Sequence, residues 1–309
     1  MAKHIVLGVG QIGSIVARTL RAQGEEVVVV RRRAGDVVIR GVEVQRGDLA
    51  DGSFARSIGR GADVVYQCTN PAYHRWPAEL LPNAEGAIAV AQNSGARLIV
   101  LDNLYAYGDT GGVPRDESTP MEPVSKKGAL RKRMAERYAE VAEQGLRVSL
   151  VRASDFVGAG MDQAVLGERA VKRLLAGSSV EVLGNPDLPH AYSYGPDVAE
   201  SLIRTARLDT APFVVHSPTL PARSTRAWVE AIARAIGAKP KMLRAPRWLL
   251  SAMGLFDPQM GELVEMLYQF ESPFLLDDAR SRALLNMEPT AFETQIAAIA
   301  ERARAAKAA

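Results

Sequence analysis

From residue 1 to about residue 155 the chain alternates short, apolar, β-branched runs with longer stretches whose hydrophobic residues recur at helical spacing. "HIVLGV" leads into "IGSIVARTLRAQG", then "EVVVVR" and "DVVYQCT"; "AEGAIAVAQNSG", "RLIVLDN", "LRKRMAERYAEVAEQG" and "RVSLVRA" continue the rhythm. Runs this short and apolar at successive positions have both faces covered. They predict a parallel sheet with helices on either side, a doubly wound α/β architecture. Gly24, Gly95 and Gly145 each follow a helical run, at the position where a left-handed residue ends a helix.

Past "RASDFVGAG", Arg152 to Gly160, the rhythm loosens and prolines gather at Pro186, Pro189, Pro218 and Pro221. Helices are expected near 162 to 176, 196 to 207, 224 to 236 and 259 to 269, and short strands at 180 to 183 and 213 to 216. The expected organisation is a first domain over 1 to 160, to which part of the later chain returns. A smaller, mostly helical lobe over 161 to 309 is interleaved with it and laid over the carboxyl ends of the strands, where open α/β sheets bind ligands.

Composition narrows the function classes. Apolar residues make up 47% of the 309 and charged residues 24%, an ordinary balance for a globular protein. Lys and Arg number 38 against 35 Asp and Glu, and the net charge of +3 is spread along the chain, which does not point to nucleic acid. One cysteine, Cys68, rules out an internal disulfide and fits best as a core residue. The chain offers no long apolar run and opens directly on a strand, so a cytoplasmic protein without a membrane partner is expected. His4, His74, His190 and His216 are scattered, so no metal site is expected, and no Gly-x-Ser-x-Gly elbow is present.

The chemistry begins at "GVGQIG", between the first strand and the first helix. Gly8 permits a tight turn, Gly10 lets the backbone approach a pyrophosphate, and Gly13 lets helix pack closely on strand. Gln11 and Ile12 open the helix, whose first N–H groups and dipole face the phosphates. This is the Rossmann context for a dinucleotide. At the end of the second strand stand Arg31, Arg32 and Arg33 instead of the acidic residue suited to a ribose hydroxyl, so NADP(H) is expected in preference to NAD(H). In "GDL", Asp48 is placed to accept from the adenine amino group beside Leu49, or to cap the following helix. Thr69 ends the fourth strand, where the nicotinamide ribose runs.

These residues, with "LYAYG" (Leu104 to Gly108), "RASDFVGAG" and the closing "FLLDDARSRALLNMEPT", resemble the NAD-dependent epimerase/dehydratase family, the extended short-chain dehydrogenase/reductases, over nearly the whole chain. The glycine spacing is closer to that of atypical members. The resemblance implies a catalytic Tyr-x-x-x-Lys pair and a Ser or Thr five residues before the glycine of "YG". Here those positions hold Lys127, Arg131 and Asn103. By the resemblance, Arg131 holds the cofactor ribose, Lys127 takes over acid/base work as such a lysine does in reductases resembling isoflavone reductase, and Asn103 polarises a carbonyl. An amine beside a permanent guanidinium and partly desolvated gives up its proton more readily. The other reading of Lys127 is a solvated lysine on the charged face of "KKGALRKR". The helix "LRKRMAERYAEVAEQ" is one that family relatives use in a dimer, which implies a homodimer.

Other side chains are expected around a substrate. Tyr105 and Tyr107 follow the fifth strand, Tyr105 as a phenol toward substrate and Tyr107 as the family's structural tyrosine. "TNPAYHRW" sets Tyr73 and Trp76 as an aromatic wall, with His74 more apt to be a surface residue. Ser154, Asp155 and Phe156 are expected to face the pocket, Asp155 otherwise capping the next helix. In "PHAYSYGPDVAE", His190, Tyr192 and Tyr194 share one face of a strand, toward ligand or toward water. "WLLSAMGLF", Trp248 to Phe256, is expected to form a second contact or to roof the pocket.

Three functions compete. The first is an NADP(H)-dependent oxidoreductase acting on a carbonyl or activated double bond of a small molecule. The second, implied by the family name, is a sugar-nucleotide epimerase or dehydratase, with Arg169, Arg173 and Arg223 for a substrate pyrophosphate and the missing tyrosine against it. The third is a redox sensor that binds NADP(H) without turnover.

Overall fold

A computed structural model describes residues 1–32, 39–245, 247–253 and 258–308. In chain order the elements begin with β1 (Lys3–Leu7), α1 (Gln11–Ala22), β2 (Glu26–Arg31), β3 (Glu43–Arg46), α2 (Gly52–Ser57), β4 (Val64–Gln67), α3 (Trp76–Ser94), β5 (Arg97–Asn103), α4 (Lys126–Glu143) and β6 (Val148–Ala153). There follow β7 (Asp155–Val157), α5 (Glu168–Leu175), β8 (Val180–Leu183), β9 (Pro189–His190), β10 (Tyr192–Tyr194), α6 (Gly195–Arg207), β11 (Val214–His216), β12 (Arg223–Ser224), α7 (Thr225–Ala235) and β13 (Met242–Ala245). The last helices are α8 (Arg247–Met253), α9 (Pro258–Val264), α10 (Tyr268–Glu271), α11 (Ala279–Leu285) and α12 (Phe292–Ala308).

Contacts divide the chain into two units. The first comprises Met1–Ala106, Lys127–Arg152 and Val198–His216. Its seven-stranded sheet runs β11-β6-β5-β4-β1-β2-β3, with parallel pairings across β2, β1 and β4. Val6, Leu7, Val28, Val29, Val65, Leu98, Ile99, Leu150 and Val151 are all buried, as double-sided cover by helices requires. β3 at the edge is mostly exposed and carries Glu43, Gln45 and Arg46, charges and amides that blunt an open edge. The strand order reverses at β1, so the glycine loop that follows β1 sits at the topological switch point. Gly24, Gly95 and Gly145 have φ of 87°, 66° and 99°, the left-handed stops read from the sequence. Arg97 does a further piece of end-work, donating to the carbonyls of Thr205, Ala206 and Asp209 where α6 runs out.

Two helices are longer than their patterns suggested. α3 starts at Trp76 and runs through Pro82, and α4 starts at Lys126. In α4 the buried positions are Lys127, Gly128, Arg131, Met134, Ala135, Tyr138 and Val141, a single helical stripe. Lys127 and Arg131 therefore lie on the inward face.

The second unit comprises Tyr107–Lys126, Ala153–Asp197 and Ser217–Ala309. Its apolar core joins α5, β8, β10, α7 and α12 through Leu174, Val182, Tyr192, Trp228, Ile232 and Ile299. The expected helix over 162 to 176 shortens to α5 because the chain before it folds into a tight turn: a Cβ on Gly167 would lie 1.6 Å from the Met161 carbonyl oxygen. The helix expected over 259 to 269 is split into α9 and α10. No described helix is long and apolar enough to cross a membrane.

Candidate active site

The glycine loop has the shape its sequence asks for. Gly8 has φ +91°, and a Cβ there would meet Thr69 Cγ2 at 2.9 Å, so the turn after β1 is closed against the end of β4. At Gly13 a Cβ would lie 2.0 Å from the Gly8 carbonyl oxygen, which brings α1 hard against the loop. Gly10 differs: a Cβ would meet nothing within 4 Å, so the loop presents bare backbone to open space there. Gly10 is the N-cap of α1 and caps it with no side chain, while Ser14 Oγ donates to the Gly10 carbonyl at 2.6 Å and ties the loop from behind. Ile12 sends its side chain into the core and Gln11 is half-buried, so this first turn can offer a phosphate its backbone. The cradle fits a dinucleotide pyrophosphate.

Around it the neighbouring strand ends gather polar groups. Arg31 closes β2 in register with Arg46, and Arg33 lies outside the described residues. Arg32 Nη1 is 3.0 Å from Glu79 Oε2 and 3.7 Å from Asp48 Oδ2. Asp48 does not cap α2. It accepts from the Ala50 N–H at 3.0 Å, and the cap is Asp51, which accepts from the N–H groups of Ser53 and Phe54 and from the Ser53 hydroxyl. Those bonds hold the Asp51 carboxyl below the usual range. Leu49 is buried, and its carbonyl lies where a Cβ on Gly86 would be 2.1 Å away, so it is a packing contact of α3.

The reacting-centre candidates converge at the ends of β4 and β5 and the start of α4. Lys127 is 1% exposed, which removes the reading of a solvated surface lysine. Its Nζ lies 5.2 Å from the centre of the Tyr73 ring. The hydroxyls of Tyr73 and Tyr105 are 2.6 Å apart, and the Trp76 ring packs edge-on to Tyr73 at 5.1 Å and stacked on Tyr105 at 6.1 Å. The Trp76 indole donates to the Pro71 carbonyl at 2.9 Å, which fixes the loop. The side-chain oxygen of Asn103 accepts from the Tyr105 N–H at 3.1 Å. Tyr73, Trp76 and Tyr105 thus pack into one aromatic cluster in which Trp76 is buried, while His74 is exposed.

Beneath it lies a set of charges that sequence reasoning missed. Asp102, fully buried, faces Arg131 Nη1 at 3.4 Å through one oxygen and Arg152 Nε at 3.1 Å through the other. Arg131 also donates to Asn70 Oδ1 at 2.8 Å and stacks on Trp76, its guanidinium carbon 4.4 Å from the ring centre. The signal was present as an aspartate in the apolar run "RLIVLDN" and an arginine in "RVSLVRA". Farther along α4, Tyr138 donates to Gln67 Oε1, and burial pushes its phenol above the usual range.

The second unit treats its candidates differently. Ser154 Oγ donates to the Ala191 carbonyl at 2.7 Å. Asp155 faces His190 Nε2 at 2.8 Å and does not cap a helix, while His190 is buried and stacked on Phe270 and Phe274 at 4.6 and 4.9 Å. Phe156 is half-buried in β7. Tyr192 is not a pocket residue: it is 2% exposed, packs on Trp228, and its hydroxyl bonds Thr225 Oγ1 at 2.8 Å. His190, Tyr192 and Tyr194 are all buried, and so are Ala191 and Ser193 between them, so neither face of this strand is left to water. Arg169 and Arg173 pair with Glu181 at 2.6 and 3.4 Å, and Arg223 stacks on Phe292. Trp248 is 71% exposed, and residues 254–256 of its apolar run lie outside the described residues.

Comparison with known proteins places this geometry. The chain is 26% identical over 257 residues to dTDP-6-deoxy-L-talose 4-dehydrogenase (NAD(P)(+)) of Kitasatospora kifunensis, covering 77% of this chain and 80% of that one. It is 31% identical over 150 residues to UDP-glucose 4-epimerase of Streptomyces lividans, covering 41% and 44%. The solved UDP-glucose 4-epimerase of Thermotoga maritima with UDP-glucose superposes at a TM-score of 0.80, with 19% identity over 99% of both chains. Residues 4–212 match the NAD dependent epimerase/dehydratase family, and the chain belongs to that family of NAD(P)-dependent enzymes.

Proposed function

We propose that this enzyme is an NADP(H)-dependent oxidoreductase that acts on a carbonyl, or an activated double bond, of a small molecule. The observation that carries the reading is the Lys127 amine, buried in the first turn of α4 beside the hydroxyl-bonded pair Tyr73 and Tyr105. When bound, the nicotinamide supplies or accepts hydride. The protein does the rest: Lys127 gives a proton to the substrate oxygen in the reductive direction and takes it back in the oxidative one. Asn103 and Tyr105 orient that oxygen and stabilise its developing charge. Arg131, anchored on Asp102 and Asn70, keeps a fixed positive charge at the base of the site and, being permanently protonated, moves no proton. Gly8, Gly10, Gln11, Ile12 and Gly13 cradle the pyrophosphate, with Thr69 flanking the loop and Asp48 and Leu49 at the adenine end. Arg31 and Arg32 favour a 2′-phosphate by charge and geometry.

Nucleoside-diphosphate sugars are the first substrates to try, because the curated relatives are named for such compounds. Loss of the family tyrosine favours a reductase over an epimerase, since reduction needs only a proton donor whereas epimerisation first oxidises an alcohol, which calls for the stronger base. The test is nicotinamide absorbance on mixing enzyme, NADPH or NADP⁺, and a panel of carbonyl compounds that includes nucleoside-diphosphate ketosugars. Substrate-dependent turnover supports the reading. Tight nucleotide binding without turnover on any of them favours a sensor.

A further inference from the structure

The far end of the cradle holds a charge cluster that the reacting centre does not use. Arg32 comes from the chain after β2, Asp48 from the turn after β3, and Glu79 from the first turn of α3. Glu79 reaches Arg32 with one oxygen at 3.0 Å and is engaged by Arg75 through the other. Asp48 approaches the same Arg32 nitrogen at 3.7 Å, but its side chain is 46% exposed and its other oxygen holds the Ala50 N–H. Glu79 is the closer partner and, at 16% exposed, the less screened one. Two arginines and two carboxylates leave the cluster formally neutral. A 2′-phosphate, with nearly two negative charges, would meet a guanidinium whose charge is already answered.

We infer that Glu79 is a specificity-determining residue for the cofactor: by pairing with Arg32 it holds the preference for a 2′-phosphate below what the arginines would otherwise confer. This rests on the nucleotide reading above. A carboxylate on α3 competes with the phosphate for one guanidinium, so cofactor choice is set by two elements and not by the end of β2 alone. Gln at this position keeps the size and a hydrogen-bonding oxygen while removing the charge, which leaves Arg32 and Arg75 with an uncompensated positive charge beside the phosphate.

The test is equilibrium binding of NADP⁺ and NAD⁺, read by tryptophan fluorescence, for wild type, Glu79→Gln, and Glu79→Gln combined with Arg32→Ala. Glu79→Gln is expected to tighten NADP⁺ by about three- to tenfold at low salt, with NAD⁺ within about twofold of wild type. The gain shrinks as KCl rises and disappears in the double variant. If both nucleotides shift together, Glu79 is a structural residue of the α3 first turn and the inference falls. It falls equally if NADP⁺ weakens selectively, since Glu79 would then be aiming Arg32 at the phosphate. Failure of the wild type to bind either nucleotide would instead overturn the reading of the glycine loop, and this inference with it.

Discussion

The hydroxyl oxygens of Tyr73 and Tyr105 lie 2.6 Å apart, one from the loop after β4 and the other from the end of β5. One phenol donates in that bond and the other accepts, so the pair locks two loops together and holds the Tyr73 ring that lies beside Lys127. Lys127, Tyr73 and Tyr105 come from three separate stretches of chain, which neighbouring positions on the sheet bring together.

Replacing Lys127 by Met keeps an unbranched side chain and removes the proton. Turnover is expected to fall by at least about 100-fold, the range for loss of a general acid, with NADP⁺ affinity changed little. Tyr192→Phe serves as the contrast. Its hydroxyl is committed to Thr225 inside the core, so activity stays near wild type while stability drops by about 1 kcal/mol in urea denaturation. Equal activity of Lys127→Met and wild type would remove the lysine from the mechanism.

The glycines separate folding from binding. Gly10→Ala adds a methyl that meets no protein atom within 4 Å, so the melting temperature should hold while nucleotide affinity falls as the methyl enters the space of the phosphates. Gly13→Ala places its methyl 2.0 Å from the Gly8 carbonyl oxygen, so it should lower both the melting temperature and affinity. Calorimetry and nucleotide titration on the two variants distinguish the cases, and unaltered binding by Gly10→Ala would contradict the cradle.

Asp102 faces two arginines with no solvent reaching its side chain. Asp102→Asn leaves both guanidinium groups buried without a counter-charge. A loss of about 3–5 kcal/mol in denaturant unfolding is expected, as for other broken buried pairs. A loss below about 1 kcal/mol would mean that water or other partners take over the arginines.

His4 links stability to pH. Burial lowers its pKa from the ordinary 6.5, an effect that the Glu25 charge partly opposes. Its Nδ1 lies 3.3 Å from the Tyr66 hydroxyl, and Nε2 has no hydrogen-bond partner among the described residues. As pH falls below 6.5 the unfolded chain takes up a proton that the folded ring resists, so the unfolded state binds more protons and stability drops. The loss levels off once pH passes below the folded value. His4→Gln should flatten that part of the curve, measured as the urea midpoint from pH 7.5 to 5 (roughly the span in which histidine titrates). An unchanged slope would show that the ring titrates normally in the folded protein.

Much of the fold was legible because it is locally encoded. The strands after Met1 and the helices between them follow from periodicity, and Gly24, Gly95 and Gly145 stop their helices because each adopts a left-handed φ. The glycine loop was readable for the same reason. Helix starts were harder. "TNPAYHRW" gives no cap signal, yet Trp76 opens α3, and the charge-rich "KKGALRKR" hides that Lys127 and Arg131 continue the inward stripe of Met134 and Tyr138.

The pattern in the chain by itself determined the parallel sheet and the switch-point glycine loop, since each depends on spacing within one or two elements. Tertiary structure alone decided that Tyr192 faces a core, that Asp102 binds Arg131 and Arg152, and that Glu79 answers Arg32. Alternation on a strand offers two faces and does not say which is covered. Charge pairing between residues tens of positions apart depends on which elements pack side by side.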